Sequence, residues 1–294
     1  MNSPEPDRIH FYSSSGGNAG LACVTAACSL DHPATVVVPI STKPLMIAKI
    51  RTAGASRVVQ HGNSWAEADK FLREEVIAND PHGVYVPPFD HDDVRAGTST
   101  IIEELEEKPD AIVCSVGGGG LFSGIQLGLE ARGWGDVSVL AMETEGAESL
   151  AMSLKEDELV TLPAITSIAT SLGAKRVAQK TFDLGKRRNV KSAVLSDAEA
   201  AMGCWRLADD ERLIVEPACG VIVAVCYDGR LKQLLPKLTN ESKVVVIICG
   251  GSDITLEMLM GYREKYAYIE KMTTNDGDVP STLSAPNEAM NDNV

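Results

Sequence analysis

The sequence predicts an α/β protein of two lobes, in which helices cover parallel β-sheets. Short β-branched runs alternate with stretches of helical periodicity, which is the pattern of repeated strand–helix–strand units. Glycine-bearing loops lie beside or directly after such runs, as they do at ligand sites on parallel sheets. The pair Pro87-Pro88 interrupts the alternation. We therefore expect a small lobe over residues 10–88 and a large lobe over residues 89–270.

The individual elements follow from the local periodicity. Strands are predicted where β-branched or apolar residues form short runs, at residues 34–39, 57–60, 111–116, 137–142 and 244–248, the third and the last of them buried. Helical spacing predicts helices at residues 65–77, 96–108 and 121–132 and a last helix that ends near Tyr268. Ser196 is expected to cap a further helix. From residue 271 to 294, a composition rich in Asn, Asp, Pro, Ser and Thr predicts a disordered tail.

Composition restricts the class of partner and the cellular compartment. The chain of 294 residues is 44% hydrophobic and carries a formal net charge of −14, which disfavours nucleic acid and anionic membrane surfaces as partners. No apolar stretch reaches the length of a membrane span, and the charged start of the chain is unlike a signal peptide. The seven cysteines show no C-x-x-C spacing, which is typical of reduced thiols. We therefore expect a cytoplasmic protein.

Four consecutive glycines, Gly117 to Gly120, separate a predicted strand from a predicted helix. The outline is close to a dinucleotide-binding unit, but the third glycine of that fingerprint would fall on Ser123. Consecutive N–H groups suit instead the single group of oxygens on a phosphate monoester. A tight strand-to-helix turn without a ligand is the alternative interpretation.

The segment from Ser14 to Gly20 places hydroxyls, glycines and an asparagine before a helix that is expected to begin near Ala19. Its N–H groups and the side chains of Ser15 and Asn18 are suited to hold a small carboxylate at the positive end of that helix. The alternative is a serine-rich helix cap, although a cap needs one such residue rather than a cluster.

Cys249 directly follows the apolar run at 244–248 and precedes two further glycines. A cysteine in that context is often a small buried hydrophobic residue. At the carboxyl end of a parallel strand, however, it is also placed to face a ring nitrogen of a ligand, which a thiol leaves unprotonated.

The remaining motifs are less informative. The five histidines are scattered without the spacing of zinc ligands, and the sequence contains neither a G-x-S-x-G nor a Walker motif. The string Glu216-Pro217-Ala218-Cys219-Gly220 predicts either a group that closes a site or a helix start with a structural cysteine.

In their order and spacing, these loops resemble those of the pyridoxal-phosphate (PLP) enzymes of the tryptophan-synthase-β fold, or fold type II. The resemblance is strongest to the eukaryotic L-serine/L-threonine dehydratases, the serine/threonine ammonia-lyases, and runs from Phe11 to about Tyr268. It includes the longer strings at 84–90, 141–144 and 215–220. A cysteine at position 249 distinguishes this group from relatives that have serine there.

The resemblance implies a role for each loop. Binding of the cofactor phosphate is implied for Gly117, Gly118, Gly119, Gly120 and Leu121, contact with the pyridine nitrogen for Cys249, and a bond to the ring hydroxyl for Asn18. The substrate carboxylate is implied to lie on Ser15, Gly16, Gly17 and Asn18. A monovalent cation such as K⁺ is implied at the Glu143 side chain and at main-chain oxygens near Ala147, Leu172 and Ala174. A homodimer is implied as well.

The implied activity is PLP-dependent dehydration of L-serine and L-threonine, a β-elimination that releases ammonia with pyruvate or 2-oxobutanoate. In this family the Schiff-base lysine lies in a Ser-x-Lys segment well ahead of the position of Asn18, and its counterpart is expected before Met1. The first lysine of this sequence is Lys43. The resemblance therefore predicts an N-terminally truncated chain of impaired activity. Two alternatives stay open: a non-catalytic pseudoenzyme with the PLP fold, and a β-replacement enzyme like cysteine synthase.

Overall fold

The computed structural model describes residues 8–273, and these form two parallel four-stranded sheets with helices around them. The predicted α/β class with parallel sheets is therefore confirmed. A terminal helix at Tyr268–Thr273 includes the first residues of the predicted tail. Residues 274–294 of that tail lie outside the described residues.

The first sheet contains strands β1 (His10–Ser13), β2 (Ala34–Val38), β3 (Arg57–Gln60) and β4 (Gly83–Tyr85), in the order β3-β2-β1-β4. Helices α1 (Asn18–Ser29), α2 (Pro44–Thr52) and α3 (Trp65–Phe71) lie between these strands in the chain. Strand β2 is central and buried throughout, which explains its unbroken β-branched run. Its Val36 and Val38 pack with Val24 of α1 and Ile50 of α2.

The second sheet contains strands β5 (Ala111–Ser115), β6 (Ser138–Thr144), β7 (Val190–Leu195) and β8 (Val244–Val246), in the order β7-β6-β5-β8. A hydrophobic cluster around Ile112 and Phe122 and another around Val113 and Ile222 contain alternate residues of β5, so both faces of this sheet are covered. The helices that follow the first sheet in the chain are α4 (Asp92–Glu103), α5 (Gly120–Ala131), α6 (Ser149–Glu156), α7 (Gln179–Gly185), α8 (Asp197–Glu211), α9 (Pro217–Ala224), α10 (Arg230–Leu234), α11 (Leu256–Tyr266) and α12 (Tyr268–Thr273).

Several predicted boundaries change in the structure. The helix expected at 65–77 is α-helical only through Phe71 and continues as a π-helical turn (Leu72–Val76) and a 3₁₀ turn (Ile77–Asn79). The helix expected at 96–108 begins earlier and ends at Glu103. The cap at Ser196 is confirmed, because its hydroxyl accepts from the Glu199 N–H while the Glu199 carboxylate accepts from the Ser196 N–H.

The strand predicted as buried at 244–248 is shorter and more exposed than expected. Strand β8 ends at Val246, its three residues are half-buried, and Ile248 is 41% exposed. The physical reason is its position, since β8 is an edge strand that pairs with β5 alone among the described strands. Its apolar run reflects one covered face rather than two.

Parallel strands bring the loops at their carboxyl ends to one side of each sheet. The Ser14–Gly17 segment follows β1, the tetraglycine follows β5, and Cys249 comes soon after β8. Among residues 8–273, no helix is long and apolar enough to cross a membrane.

Candidate active site

The tetraglycine loop leads from β5 into helix α5, with Gly119 as the N-cap at a φ of +97°. Side chains cannot be accommodated here. A Cβ on Gly118 would lie 2.1 Å from Cγ of Phe89, and one on Gly119 would lie 2.0 Å from Oγ1 of Thr181. Within residues 8–273, the N–H groups of Gly117, Gly118 and Gly119 have no hydrogen-bond acceptor. Together with the first turn of a 12-residue helix, they form a set of donors suited to an anion.

The serine loop begins with a hydrogen bond of its own, because the Gly17 N–H donates to Ser15 Oγ at 3.2 Å. Helix α1 starts at Asn18, and its N-cap, Gly17, forms no side-chain capping bond. The serines therefore do not act as a helix cap, and the first N–H groups of α1 keep their positive end for another partner. Gly16 packs tightly, since a Cβ there would lie 2.8 Å from Cγ2 of Thr42.

Asn18 joins this loop to the second sheet. Its Nδ2 donates to Glu216 Oε1 at 2.8 Å and to Ser171 Oγ at 3.3 Å, while its Oδ1 accepts from the Ser252 N–H at 2.9 Å. Ser171 also lies against the tetraglycine, because a Cβ on Gly117 would lie 3.1 Å from its carbonyl oxygen. The three glycine-bearing loops therefore meet around the Asn18 side chain.

Glu216 is the acceptor at the centre of this meeting point, and it is 3% exposed. Its second oxygen, Oε2, accepts from the Asp253 N–H at 2.9 Å. Gly251 has a φ of +101° and lies so close that a Cβ would be 2.1 Å from Cδ of Glu216. The sequence predicts for Glu216 either closure of a site or the start of a helix. The helix start is confirmed, since Glu216 is the N-cap residue of α9, whereas closure of a site by Glu216 stays a prediction.

Cys249 is exposed, which argues against a purely structural role as a buried hydrophobic residue. Its Sγ lies 3.9 Å from Ser115 Oγ at the end of β5. A hydrogen bond from the Cys219 thiol, followed by a weaker effect of Ser115, lowers the pKa of Cys249 below the ordinary value despite partial burial. The thiol is therefore available to a ligand held beside the tetraglycine.

Comparison with known proteins decides the family. The model of the pyridoxal-phosphate dependent enzyme family matches residues 4–250. The chain belongs to this family.

Comparison with individual relatives places the chain among the serine/threonine ammonia-lyases of that family. It is 44% identical to the L-serine dehydratase of Saccharomyces cerevisiae (strain AWRI1631) over 267 residues, which cover 85% of this chain and 79% of that protein. It is 41% identical to the L-serine dehydratase/L-threonine deaminase of Homo sapiens, over 90% of this chain and 82% of that protein. The crystal structure of a fungal L-serine ammonia-lyase from Rhizomucor miehei aligns with a TM-score of 0.80 and 38% identity, covering 88% of this chain and 82% of that chain.

The arrangement in this PLP-dependent enzyme fits its cofactor. The phosphate of PLP needs clustered donors, and the tetraglycine offers unpartnered N–H groups at a helix start. The pyridine nitrogen needs a neighbour beyond that loop, and the exposed thiol of Cys249 follows β8, the strand that pairs with β5. The amide of Asn18 lies between the two loops. The individual roles of these residues stay predictions.

Lys43, the N-cap residue of α2, and Lys49 within α2 also contact the loop after Cys249. Lys43 Nζ donates to Asp253 Oδ2 at 2.5 Å, and Lys49 Nζ donates to the Ser252 carbonyl. The sequence identifies Lys43 only as the first lysine of the chain. The contact was not visible in the sequence because it joins residues 210 positions apart.

Of the four residues implied for a monovalent cation, Glu143, Ala147 and Leu172 are buried and Ala174 is half-buried. Glu143 is fully buried, and its oxygens accept from the N–H groups of Leu150 at 2.8 Å and Ala151 at 2.7 Å. Burial raises the pKa of Glu143 to about 8. Ala147 and Leu172 belong to one hydrophobic cluster, and the Ala174 N–H donates to the Leu172 carbonyl at 2.7 Å.

No cluster of three or more His, Cys, Asp and Glu residues suited to a metal ion occurs in the described part of the chain. That finding concerns side-chain clusters, whereas a K⁺ site is built largely from carbonyl oxygens. The cation site therefore stays a prediction.

A polar network centred on the buried Asp69 holds the residue that precedes the serine loop. Ser14 Oγ donates to Asp69 Oδ1 at 2.8 Å, the Tyr85 hydroxyl donates to the same oxygen, and Arg73 Nε donates to Asp69 Oδ2 at 2.9 Å. Burial, and then the bond to Asp69, raise the pKa of Tyr85 to about 12. Because Ser14 directly precedes Ser15, this network sets the position at which the loop leaves β1.

Proposed function

We propose that this chain is a PLP-dependent dehydratase that converts L-serine to pyruvate and ammonia, and L-threonine to 2-oxobutanoate and ammonia. The observation that carries the proposal is the set of hydrogen bonds by which Asn18, at the start of α1, joins Ser171 beside the tetraglycine, Glu216, and Ser252 in the loop after Cys249. Similarity to proteins named L-serine dehydratase, at 41 to 44% identity, supports the choice of reaction.

Each loop has a part in this reaction. The N–H groups of Gly117, Gly118, Gly119, Gly120 and Leu121 would hold the cofactor phosphate, Cys249 the pyridine nitrogen, and Asn18 the ring hydroxyl. Bound PLP supplies an electron sink that makes the α-proton of the amino acid acidic. Ser15, Gly16, Gly17 and Asn18 would orient the substrate carboxylate at the start of α1.

The tight packing of these loops restricts the motion of both ligands. Asn18 is held on three sides by Glu216, Ser171 and Ser252, so its amide is oriented before a ligand arrives. Gly251 closes against Glu216 without a side chain between them. Preorganised donors of this kind contribute more than flexible ones, because they need no rearrangement at the moment of reaction.

We further propose that residues 1–294, taken alone, turn over L-serine slowly. The lysine that the resemblance requires precedes the position of Asn18, whereas Lys43 is the first lysine in the printed sequence. Lys43 and Lys49 are the amines that touch the loop after Cys249 in the described residues, yet both are already bonded to it. Loss of a positioned base removes a large part of a catalytic rate.

The test has two parts, binding and turnover. Purified protein is dialysed against PLP, and cofactor uptake is measured by absorbance and calorimetry. L-serine or L-threonine is then added, with and without sulfide. Pyruvate or 2-oxobutanoate with ammonia supports the dehydratase, whereas a new thiol product supports β-replacement. A folded protein that takes up no PLP would refute the proposed site.

Reduction with borohydride separates the slow enzyme from a pseudoenzyme. A reduced PLP adduct mapped to one lysine by mass spectrometry identifies the amine in use. PLP uptake with neither adduct nor product supports the non-catalytic alternative. Rapid turnover by residues 1–294 contradicts the proposal of impaired activity and leaves the dehydratase assignment intact.

We also propose the wider setting that the family resemblance implies: a cytoplasmic homodimer with a K⁺ site, organised in lobes at 10–88 and 89–270. The two sheets fall on either side of Pro87-Pro88, which supports that boundary. Light scattering of the purified protein tests the dimer, cell fractionation tests the compartment, and limited proteolysis near Pro88 tests the lobes.

A further inference from the structure

Thr181 is a buried threonine of α7 that packs directly against the tetraglycine loop. It is 1% exposed, and its hydroxyl donates to the Gly118 carbonyl at 3.4 Å. The same carbonyl accepts from the N–H of Ala178, the N-cap residue of α7, at 3.1 Å. Gly119 fits against the threonine only because it has no side chain, since a Cβ there would lie 2.3 Å from Cγ2 of Thr181. The start of α7 therefore holds one carbonyl of the loop by two hydrogen bonds.

A second hydroxyl completes this contact. Ser123 of α5 is also 1% exposed, and its Oγ lies 3.0 Å from Oγ1 of Thr181. A threonine hydroxyl has one hydrogen, and at Thr181 this hydrogen is directed at Gly118. Ser123 is therefore the donor in the bond between the two hydroxyls. The result is a buried chain from Ser123 through Thr181 to the Gly118 carbonyl, in which each hydroxyl donates once and each bond strengthens the next.

The orientation of the Gly118 carbonyl decides where the next N–H points. The peptide that joins Gly118 to Gly119 is planar and trans, so its carbonyl and its N–H point in opposite directions. Because the carbonyl is turned toward α7, the Gly119 N–H is turned away from α7. This N–H has no acceptor among residues 8–273 and lies at the N-cap of α5, where the helix has its positive end. An anion at this end meets a donor whose direction is already set.

We propose that Thr181 is a positioning residue for the cofactor phosphate. By holding the Gly118 carbonyl, its hydroxyl directs the Gly119 N–H at the phosphate oxygens, and Ser123 keeps that hydroxyl in place. The inference rests on the proposed binding of the PLP phosphate at the tetraglycine. It adds to that site two side chains that act through the backbone of the loop rather than on the cofactor itself.

A loop of four glycines needs such support more than other loops do. Glycine has wide backbone freedom, and a loop that is free in the unbound protein loses this freedom when it binds a ligand. Contacts that fix the loop beforehand reduce the cost of binding. Phe89 also packs against Gly118, but its ring has neither a donor nor an acceptor with which to orient a peptide. The hydroxyl of Thr181 supplies that orientation.

The test compares four proteins of 294 residues: the wild type, Thr181→Val, Thr181→Ser and Thr100→Val. Valine keeps the shape of threonine and removes the hydroxyl, whereas serine keeps the hydroxyl and removes the methyl group. The exposed Thr100 is the matched control, because its hydroxyl also donates to a backbone carbonyl, that of Gly97 at 2.8 Å, within α4. Calorimetry measures the Kd for PLP and for pyridoxal, which lacks the phosphate. Urea unfolding shows whether each variant is folded.

We expect Thr181→Val to weaken PLP binding by about three- to tenfold, the effect of one lost neutral hydrogen bond. The Kd for pyridoxal should change by less than about twofold, because pyridoxal does not use the phosphate loop. Thr181→Ser should restore the affinity for PLP, and Thr100→Val should leave both constants unchanged. Ser123→Ala should weaken PLP binding in the wild-type background and add little to Thr181→Val, since both changes break the same chain of hydrogen bonds.

Several results would overturn the inference. Thr181→Val may not bind PLP as tightly as the wild type, nor lose affinity for PLP and pyridoxal by the same factor. A loss in Thr181→Ser as large as that in Thr181→Val would show that the shape of the side chain matters and the hydroxyl does not. Should valine prevent folding, wild-type affinity for PLP in Ser123→Ala would be decisive against the chain. In each of these cases the wild type still binds PLP and the proposed site stands, whereas a wild type without PLP uptake refutes the proposed function and this inference together.

Discussion

The side chain of Asn18 bonds the carboxylate of Glu216 at 2.8 Å, across 198 positions of the sequence. Asn18 begins a helix of the first sheet, whereas Glu216 begins a helix of the second. Because Glu216 also accepts from the Asp253 N–H, its two oxygens serve different partners. The contact therefore joins the serine loop to the loop after Cys249.

Replacing Glu216 by glutamine should weaken PLP binding about tenfold. One carboxylate oxygen becomes an NH₂ group, so one of the two hydrogen bonds to a charged acceptor is lost, a change of about 1.5 kcal/mol or more. Asn18→Ala should have less effect in the Glu216→Gln chain than in the wild type, since the two changes remove one shared contact. Asn79→Ala is the matched control, because Asn79 bonds the Glu75 carbonyl away from the site. Strict additivity in calorimetric Kd values would contradict the coupling.

Replacing Gly118 by alanine should disrupt the packing of the tetraglycine loop against Phe89. The new Cβ would lie 2.1 Å from the Phe89 ring, so either the ring or the loop must move. We expect PLP affinity to fall at least about tenfold and the free energy of unfolding to fall by about 1–3 kcal/mol. Gly97→Ala is the matched control: it lies in α4 with no heavy atom within 4 Å of its Cβ.

Gly97→Ala should raise the stability by up to about 1 kcal/mol, since alanine is the better helix former, and leave PLP binding unchanged. Equal PLP affinities for the two alanine variants would show that the tetraglycine does not hold the phosphate. Urea unfolding, run in parallel, distinguishes a lost ligand contact from a lost fold.

Much of the fold could be predicted because its central strands are unbroken apolar runs. Strand β3 has the predicted bounds, and β2, β5 and β6 differ by one or two residues. Strands β1 and β4 carry no comparable signal, since they have four and three residues, and β7 includes Lys191 and Ser192. Helix α2 was missed although Pro44 at its first position is a typical helix start.

The site was harder to predict than the loops that form it. The loops that follow the strands could be predicted from their glycine clusters, because close packing excludes side chains there. Glu216 belongs to a string that the sequence marks as a candidate for closing a site, but its bond to Asn18 could not be predicted. Ser171 carries no signal, since a single polar residue has no periodicity and its contacts are set by tertiary structure. The edge position of β8 depends on sheet order rather than on local sequence, and the exposure of Cys249 three residues after it could not be predicted from the apolar run that precedes it.

Removing the charge of Asp69 should destabilise the first sheet. Asp69 accepts from Ser14, Tyr85 and Arg73, and its side chain is 8% exposed. Asp69→Asn leaves one of these donors without an acceptor, for which we expect a loss of about 1–3 kcal/mol in the free energy of unfolding.

Glu74→Gln is the control variant for Asp69→Asn. Glu74 lies in the adjoining π-helical turn and forms an exposed ion pair with Lys70, so its replacement should change stability by less than about 1 kcal/mol. Urea denaturation of both variants checks the difference. Equal losses would mean that the buried network contributes no more than a surface pair.

We expect the buried Glu143 to make the free energy of unfolding depend on pH. Its pKa is raised by burial from 4.5 to about 8 in the folded chain. Between those two values the unfolded chain has released this proton and the folded chain has kept it. The contribution of Glu143 is therefore fully present below pH 4.5 and is lost as the pH rises to about 8, with a slope of up to about 1.4 kcal/mol per pH unit.

Glu143→Gln has no proton to release, so the difference between variant and wild type isolates this slope from all other titrations. Urea unfolding at several pH values measures it, once with K⁺ and once with tetramethylammonium as the cation. If K⁺ binds the ionised carboxylate, it competes with the proton: it should flatten the slope of the wild type and leave Glu143→Gln unaffected. An equal effect of K⁺ on both proteins would exclude Glu143 as a cation ligand, because the bound ion would then be insensitive to the loss of that charge.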